Sequence, residues 1–231
     1  IDNASNDDSV SFLKENYSSI KVIINKKNLG YAGGYNEGVK NIKADYYVFI
    51  NTDVEVTNNW LNPLFNKMES NSNIGACQPK ILSEKNKNHF EYAGASGGYI
   101  DFLGYPYCRG RIFDTIEKDY GQYNEEKEVF WTSGSCMMIQ SNLFHKLNGF
   151  DKDFFAHMEE IDLCWRINRK GFINYCIPKS VIYHVGGETL SYLNPKKTYL
   201  NFRNNLIMIS KNDRFINLLY KIPSRLILDI F

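Results

Sequence analysis

The stretch that decides the fold is Tyr46-Tyr-Val-Phe-Ile-Asn-Thr-Asp53, in which five apolar residues lead into a polar turn that ends in a carboxylate. A continuous apolar run of this length is typical of a strand buried on both faces of a sheet. In open α/β sheets, ligands bind beyond the carboxyl ends of such strands. Asp53 therefore lies where a ligand site is expected, and its carboxylate could hold a divalent cation.

Predicted helices and strands alternate on both sides of this strand. Helices are predicted over residues 9–17, 33–42, 60–69, 142–147 and 161–168, and strands over residues 20–24, 75–81, 130–139 and 175–182. Residues 82–128 show no persistent period and are expected to be irregular, with short strands. The pattern indicates an α/β chain with a mixed, mostly parallel sheet flanked by helices.

Composition excludes several classes of protein. The chain has 231 residues, of which 43% are hydrophobic and 23% charged, as in one globular domain with or without an appendage. Its formal net charge is +1, which argues against a nucleic-acid partner. Five cysteines without a C-x-x-C pair argue against a disulfide framework and a structural zinc site. Without a signal peptide or a long apolar run, the sequence predicts a cytoplasmic location.

Both ends of the sequence interrupt a pattern. Residues 1–8 look like the turn after a strand that is missing, so we expect the domain to be truncated at its N-terminus. We predict a main domain over residues 1–198 and an amphipathic helical extension over residues 199–231. Apolar residues alternate with basic ones in this extension, and two interpretations stay open: the helices pack onto the domain, or they lie on a membrane surface.

Two segments could serve an anionic ligand. Gly33 and Gly34 open a predicted helix whose free N–H groups could face an anion, although a plain glycine-rich turn is as good an interpretation. The segment is neither a Walker loop nor a dinucleotide fingerprint. Arg203, before an apolar helix, could clamp a phosphate, or could simply begin the helix.

Acidic residues and a histidine supply the candidate chemistry. Glu159, Glu160 and Asp162 crowd the start of a helix, where like charges raise one another's pKa and favour a general base. The alternative is a solvated helix start in which Asp162 pairs with Arg166. Glu160 is the sharper candidate, since Asp162 has that partner. His184 follows a strand and is either a metal ligand or an ordinary buried histidine.

The order of these features along the chain resembles that of the inverting family-2 glycosyltransferases with a GT-A (Rossmann-like) fold. The resemblance is greatest to the bacterial rhamnosyltransferase-like group that builds surface polysaccharides, and it extends over nearly the whole chain. The matching elements are Asp2-Asn-Ala-Ser-Asn-Asp7, the glycine-rich residues 28–36, Phe49-Ile-Asn-Thr-Asp53, Gly134, residues 149–155, Glu159-Glu-Ile-Asp-Leu-Cys-Trp-Arg166, Tyr183-His184 and Arg203-Asn204.

The resemblance implies a role for each position. Asp53 and His184 would be metal ligands for Mg²⁺ or Mn²⁺, and Glu160 the general base, with Glu159 and Asp162 as its alternatives. The donor site would comprise Asp2, Asn28, Gly33, Gly34, Asn36, Asn51, Thr52, Gly134 and Arg203. The donor would be a UDP- or dTDP-sugar, and the acceptor a glycan or lipid-linked glycan at the inner face of the cell membrane.

One departure affects the metal site, because the family's D-x-D motif reads Asn51-Thr-Asp53 here, as in the N-x-D form of the rhamnosyltransferase-like group. Two other classes stay open. A non-catalytic nucleotide-sugar-binding or scaffold relative would keep the pocket without the reaction. A nucleotidyltransferase would share the fold, but it needs a basic loop for a triphosphate, and residues 31–36 contain no Lys or Arg.

Overall fold

A computed structural model describes residues 1–112, 114–186 and 195–230. Its helices are α1 (Ser9–Asn16), α2 (Gly30–Val39), α3 (Leu61–Ser70), α4 (Ser141–Lys146), α5 (Glu159–Arg169), α6 (Pro195–Asn212) and α7 (Phe215–Leu228). Its strands are β1 (Tyr46–Ile50), β2 (Val54–Val56), β3 (Ile74–Ser83), β4 (Gly98–Ile100), β5 (Pro106–Cys108), β6 (Arg111–Ile112), β7 (Thr115–Ile116), β8 (Lys127–Val129), β9 (Cys136–Gln140) and β10 (Ile173–His184). The helices and strands predicted from the sequence are largely confirmed.

The main sheet has the order β1-β9-β3-β10-β2, with β8 also paired to β10. It is mixed and flanked by helices, as predicted, but the expectation of a mostly parallel sheet is wrong. In the described ranges only β3 and β10 pair in parallel, whereas the β1/β9, β3/β9, β2/β10 and β8/β10 pairs are antiparallel. Two of these antiparallel pairs arise because β9, which follows the irregular region in the sequence, lies between β1 and β3 and runs in the opposite direction to both.

Strand β1 lies at one end of this order, so the prediction that it is buried on both faces is also wrong. Its side chains alternate between buried and half-buried, and Tyr47 and Phe49 point into the core. Phe49 packs against Tyr35 of α2, Phe144 of α4 and Phe150, with ring centroids 4.8, 5.0 and 5.1 Å apart. This aromatic cluster joins the sheet to the helices beside the site.

The strand predicted over residues 20–24 is reduced to a single parallel bridge between Asp2 and Ile24. The amide of Asp2 donates to the carbonyl of Ile23, and the amide of Asn25 donates to the carbonyl of Asp2. Only one residue of each segment is paired, so the two segments form an isolated bridge and not a strand.

The irregular region of the sequence contains a second, smaller sheet with the order β4-β5-β6-β7. Its strands are two or three residues long, which is too short for a hydrophobic period to reveal. Gly98 of β4 bridges to Trp131, which connects this sheet to the segment before β9. The five cysteines, all among the described residues, are buried and free, in agreement with the absence of a disulfide framework.

Helices α6 and α7 begin at Pro195 and Phe215. Met208 and Ile209 of α6 are fully buried in the main core. In helix α7 the charged face is turned inward and an apolar face outward. Lys221 and Arg225 are buried, and Phe215, Ile216 and Ile227 are more than 60% exposed. Among the described helices, none combines the length and the apolar character needed to cross a membrane. The division of the chain at residue 198 stays a prediction.

Candidate active site

A cleft of about 550 Å³ opens beyond the ends of β1 and β10. It is lined by Asn3, Asn28, Gly30, Tyr31, Asn51, Ala93, Ser133, Gly134, Ser135, Phe155, Ala156, His157, Glu159, Glu160, His184 and Lys196. The cleft thus brings together the two glutamates, His184 and three of the predicted donor-site residues, Asn28, Asn51 and Gly134. A larger cavity of about 670 Å³ lies beside α2 and α4. Neither of the two glutamates nor His184 lines it.

Glu159 and Glu160 form the first turn of α5. The loop that delivers them has left-handed backbone angles at Phe155, His157 and Met158, with φ of 63°, 70° and 72°. Met158 occupies the N-cap position without a capping side chain, so the first turn leaves N–H groups free for other acceptors. Strained backbone of this kind persists only when the surrounding structure enforces it.

Burial shifts the titration of both glutamates. Desolvation raises the pKa of Glu160 to about 7, although backbone N–H groups of Ile161 and Gly134 oppose the shift. Burial and the neighbouring Glu160 charge raise the pKa of Glu159 well above its usual range. One carboxylate oxygen of each residue has no protein partner among the described residues. Glu160 is therefore a carboxyl group that can exchange a proton near neutral pH.

Tyr31 contacts the backbone beside Glu160. Its hydroxyl donates to the carbonyl of Gly134 over 2.5 Å, and a Cβ atom on Gly134 would come within 3.6 Å of Glu160. Gly134 therefore lies where a side chain and a glutamate both approach the backbone closely, between β8 and β9.

Asp53 and His184 meet at the edge of the cleft, which His184 lines and Asp53 reaches only through its contact with His184. Asp53 Oδ1 lies 3.1 Å from His184 Nε2, and Asn51 Nδ2 lies 3.4 Å from the same nitrogen. The pair forms because β2 and β10 run antiparallel and place Val54 opposite His184. Burial alone would lower the pKa of His184, but the carboxylates of Glu91 and Asp53 raise it overall.

The donor set suits a divalent cation. A carboxylate oxygen and an imidazole nitrogen, both at the cleft, fit Mn²⁺ or Mg²⁺ when the remaining ligands are phosphate oxygens and water. Glu91 Oε1 lies 3.4 Å from His184 Nδ1, on the far side of the ring, so it does not converge with Asp53. Accordingly, the described residues contain no group of three His, Cys, Asp or Glu side chains that could hold a metal alone.

Asn28 lies at the start of α2, where an asparagine network holds the cleft wall. Asn3 Nδ2 donates to Asn28 Oδ1 over 3.1 Å and to the carbonyl of Gly30 over 2.9 Å. Asn3 Oδ1 accepts from Asn25 and from the amide of Leu29. The network fixes the N-terminus of α2 against the cleft.

Several residues predicted to bind the donor lie elsewhere. Helix α2 begins at Gly30, so Gly33 and Gly34 fall inside it; Gly33 lines the larger cavity and Gly34 packs on Asn3. The carboxylate of Asp2 accepts from the amides of Ala4 and Ser5 in its own turn. Thr52 is exposed in the turn between β1 and β2.

The donor-binding prediction for Asn36 is wrong. Its side chain donates to the carbonyl of Phe150 over 2.6 Å and accepts from the amide of the same residue over 3.0 Å. These two hydrogen bonds take the place of a strand partner for Phe150, so Asn36 joins α2 to the loop that precedes α5.

The phosphate clamp predicted at Arg203 stays a prediction, and Arg203 is not among the residues that line the cleft. Its guanidinium donates to the carbonyls of Asp153 and Phe154 and to the side chain of Asn204. These contacts join Arg203 to the loop before α5.

Asp162 is not a candidate base. It is fully buried on the face of α5 that turns away from the cleft, and Arg166 Nε donates to its Oδ2 over 2.8 Å. Its other oxygen accepts from Asn212 over 2.7 Å and faces Lys211 at 3.2 Å. The pairing of Asp162 with Arg166 is present as the alternative interpretation predicted, but the helix start is buried and not solvated.

Sequence reasoning did not single out the cleft residues Asn3, Tyr31, His157 and Lys196, nor Glu91, which contacts His184. His157 Nε2 is buried without a hydrogen-bond partner among the described residues, and burial lowers its pKa. Asn3, Tyr31 and His157 each lie beside a residue that the sequence did single out. Glu91 carried no signal, because it belongs to the irregular region.

Solved structures with the same fold are glycosyltransferases of the GT-A type. A crystal structure of GalNAc-T7 with UDP, GalNAc and Mn²⁺ matches 90% of this chain and 40% of its own, with a TM-score of 0.65 and 16% identity. The mannosyltransferase PcManGT from Pyrobaculum calidifontis, in complex with GDP-Man and Mn²⁺, matches 91% of this chain and 52% of its own, with a TM-score of 0.59 and 12% identity. The chain thus spans about half or less of each solved structure. These matches show that the chain has the GT-A fold.

The chain belongs to Glycosyl transferase family 2, whose family model matches residues 1–147. The N-acetylglucosaminyl-diphospho-decaprenol L-rhamnosyltransferase of Mycobacterium tuberculosis is 24% identical over 224 residues, covering 86% of this chain and 72% of that protein. The low-salt glycan biosynthesis hexosyltransferase Agl10 of Haloferax volcanii is 24% identical over 83% of this chain and 60% of its own length. The rhamnosyltransferase WbbL of Escherichia coli is 38% identical over 50 residues, 22% of this chain and 19% of its own.

Proposed function

We propose that this domain transfers a sugar, with inversion, from a UDP- or dTDP-sugar to a glycan or lipid-linked glycan in surface polysaccharide synthesis. The observation that carries the proposal is a cleft that Glu160, with a pKa of about 7, and His184 both line, with Asp53 in contact with His184. The two groups match the two needs of glycosyl transfer, which are deprotonation of the acceptor and stabilisation of the leaving diphosphate.

Glu160 would accept the proton of the acceptor hydroxyl as its oxygen attacks the anomeric carbon. The new C–O bond forms as the bond to the diphosphate breaks on the opposite face, so one displacement inverts the configuration. Asp53 and His184 would hold a divalent cation, which supplies positive charge for the departing diphosphate. Glu159, whose pKa burial and the Glu160 charge raise, lines the cleft beside the base.

The acceptor and the donor are proposed from relatives. The M. tuberculosis protein is named for L-rhamnosyl transfer to a decaprenol-linked N-acetylglucosamine, so a lipid-linked acceptor and a rhamnosyl donor are the first candidates. Such an acceptor would be anchored in a bilayer, and the reaction would take place at the inner face of the cell membrane.

The direct test is transfer from dTDP-L-rhamnose to an N-acetylglucosaminyl-diphospho-lipid, with UDP-sugars as alternative donors. Glu160→Gln should reduce transfer by roughly 10²- to 10⁴-fold, the range expected for loss of a general base. Binding of the nucleoside diphosphate should be unchanged, because Glu160 does not contribute to the metal side of the cleft. Full transfer by this variant would move the base to Glu159, and binding without any transfer by the native protein would favour the scaffold role.

Membrane association belongs to the same proposal. The outward face of α7 presents Phe215, Ile216, Leu219, Ile227 and Leu228, each more than half exposed, and its cations point inward to Asp213 and Asp229. Contact with lipid would therefore rest on apolar side chains more than on attraction between charges.

The test avoids deleting the helices, because Met208 and Ile209 of α6 are part of the core. Leu219→Glu combined with Ile227→Glu should abolish sedimentation with phosphatidylglycerol vesicles. Phe12→Glu is the matched control, since Phe12 is 53% exposed on α1. Unchanged sedimentation would contradict the proposal. Loss of a dimer in the double variant would assign the face to a second copy of the chain.

A further inference from the structure

The backbone before Glu159 follows a path that its own residues do not favour. Phe155, His157 and Met158 all have φ between 63° and 72°, in the left-handed region that non-glycine residues rarely adopt. Three such residues within four positions are each costly, so the loop needs contacts from outside to keep this shape. The contacts that could enforce it come from α6.

Asn204 of α6 supplies most of these contacts. It is fully buried, and its Nδ2 lies 2.9 Å from the carbonyl of Phe154, 2.8 Å from that of Ala156 and 2.7 Å from that of His157. One side-chain amide thus lies within hydrogen-bond distance of three backbone carbonyls in the loop of residues 154–158. A buried amide donor in this place also satisfies carbonyls that the irregular backbone leaves without partners.

Arg203 orients this amide. Its Nε and Nη2 donate to Asn204 Oδ1 over 2.9 and 2.7 Å, which leaves Nδ2 directed at the loop. Nη2 also lies 3.0 Å from the carbonyl of Asp153. The two residues therefore bind consecutive parts of the same loop.

The loop in turn defines the position of the first turn of α5. The carbonyl of Met158 accepts from the amide of Asp162, and Phe155 accepts from the amide of Tyr31 across the cleft. A second polar contact from α6, between Asn212 and Asp162, holds the buried side of α5. Between these contacts the glutamates have little freedom to move.

We propose that Asn204 is a positioning residue for Glu160, acting through the carbonyls of residues 154–157 and not through any contact with substrate. The inference rests on the proposed function for the role of Glu160, but the hold of Asn204 on the loop does not. In catalytic terms, a general base works only within hydrogen-bond reach of the proton it takes, so a displaced loop reduces turnover before it reduces donor binding.

Asn205 provides a matched control on the same helix. It is 2% exposed, its Nδ2 donates to the carbonyl of Gly104, and its Oδ1 accepts from Arg225. Asn204→Ala and Asn205→Ala therefore both remove a buried amide from neighbouring positions, but only the first removes contacts to the loop.

Hydrogen exchange tests the hold on the loop without any substrate. Asn204→Ala should speed exchange at the amides of Phe155, Ala156 and Asp162 at least tenfold, whereas Asn205→Ala should leave these amides unchanged. Equal exchange in the two variants would overturn the proposal. If Asn204→Ala does not fold, Arg203→Met tests the same point, because Arg203 is half-buried and orients the Asn204 amide; unchanged exchange at these amides would then overturn it.

Kinetics with dTDP-L-rhamnose and the N-acetylglucosaminyl-diphospho-lipid test the consequence. Asn204→Ala should lower kcat at least tenfold and change the donor KM less than threefold, while Asn205→Ala stays within threefold of the native enzyme in both. A loss confined to KM, or the same loss of kcat in both variants, would overturn the positioning role. Absence of transfer by the native protein with every nucleotide sugar would instead refute the proposed function, and hydrogen exchange would still decide the hold on the loop.

Discussion

Glu160 is the residue on which the chemistry depends, and its raised pKa makes a prediction for activity. Because the base must be ionised, transfer should increase with pH through a limb near pH 7, the pKa of the buried carboxyl group. Rates measured between pH 5 and pH 9 at saturating donor would show this limb. If the rate instead rose near pH 4.5, the ordinary pKa of glutamate, the result would contradict a raised pKa of Glu160 caused by burial.

The same shift makes a prediction for stability. The folded state keeps the Glu160 proton up to about pH 7 and the unfolded state only up to about 4.5, so this group's stabilising contribution is lost as pH rises between them. Glu160→Gln removes that loss and should be more stable than the native protein above pH 7, by on the order of 3 kcal/mol. Urea unfolding at pH 4 and pH 8 measures the difference, which should disappear at pH 4.

Asp162 should behave as a structural residue. Asp162→Ala leaves Arg166 without its carboxylate partner and Asn212 without its acceptor, and breaking a buried ion pair costs roughly 3–5 kcal/mol. Glu37→Ala, which breaks the exposed pair with Lys40, should cost less than about 1 kcal/mol. Equal losses in urea unfolding would contradict the buried network.

At the residue scale, the sequence indicated which types of residue lie near the site but not which partners their side chains contact. Glu160 and His184 line the cleft and Asp53 contacts His184, as their places at a helix start and after strands predict; their roles stay proposals. Asn36 and Arg203 could not be assigned, since an amide or a guanidinium bonds as readily to backbone as to a phosphate. Only the position of the loop before α5 separates the two possibilities.

At the level of elements, the start of α2 depends on the absence of a side chain at Gly30. Its φ is +71°, and a Cβ atom there would lie 2.3 Å from the carbonyl oxygen of Phe155. Gly171, with φ +82°, has nothing within 4 Å of the same atom. Both glycines therefore need a left-handed backbone, but only Gly30 lies so close to another residue, Phe155, that a Cβ atom would clash.

Replacement by alanine separates the two effects. Gly171→Ala should lose about 1–2 kcal/mol from the left-handed backbone alone. Gly30→Ala should lose at least about 1 kcal/mol more, because the loop carrying Phe155 must move, and transfer should fall with it. Urea unfolding compares the variants, and losses of equal size would refute the close approach of α2 to the loop.

Helices were easier to predict than the sheet. The 3.6-residue period identified α3, α5 and the C-terminal pair, because each buries one stripe of side chains. The direction of β9 and the existence of the β4–β7 sheet depend on partners distant in the sequence, which no local period reports. The inward charges of α7 belong to the same class, since Arg225 donates to the carbonyl of Leu103 and to the side chain of Asn205, both outside α7.

At the scale of the whole molecule, we propose that a nucleoside diphosphate and a divalent cation bind together at the cleft formed by β1, β10 and α5. This binding is independent of the acceptor and of the sugar. It depends on Asp53 and His184, which lie 131 residues apart in the sequence and meet only in the folded protein.

The most direct measurement is thermal unfolding of the native protein and of Asp53→Asn with UDP, dTDP, GDP and ADP, each with and without Mn²⁺. A ligand at a hundredfold excess over Kd stabilises the folded state by about 2.7 kcal/mol, which for a chain of this size raises Tm by roughly 5–10 °C. The account predicts such a shift for a pyrimidine diphosphate with Mn²⁺ in the native protein and its loss in Asp53→Asn. No shift with any nucleotide, or a shift that survives the substitution, would contradict it.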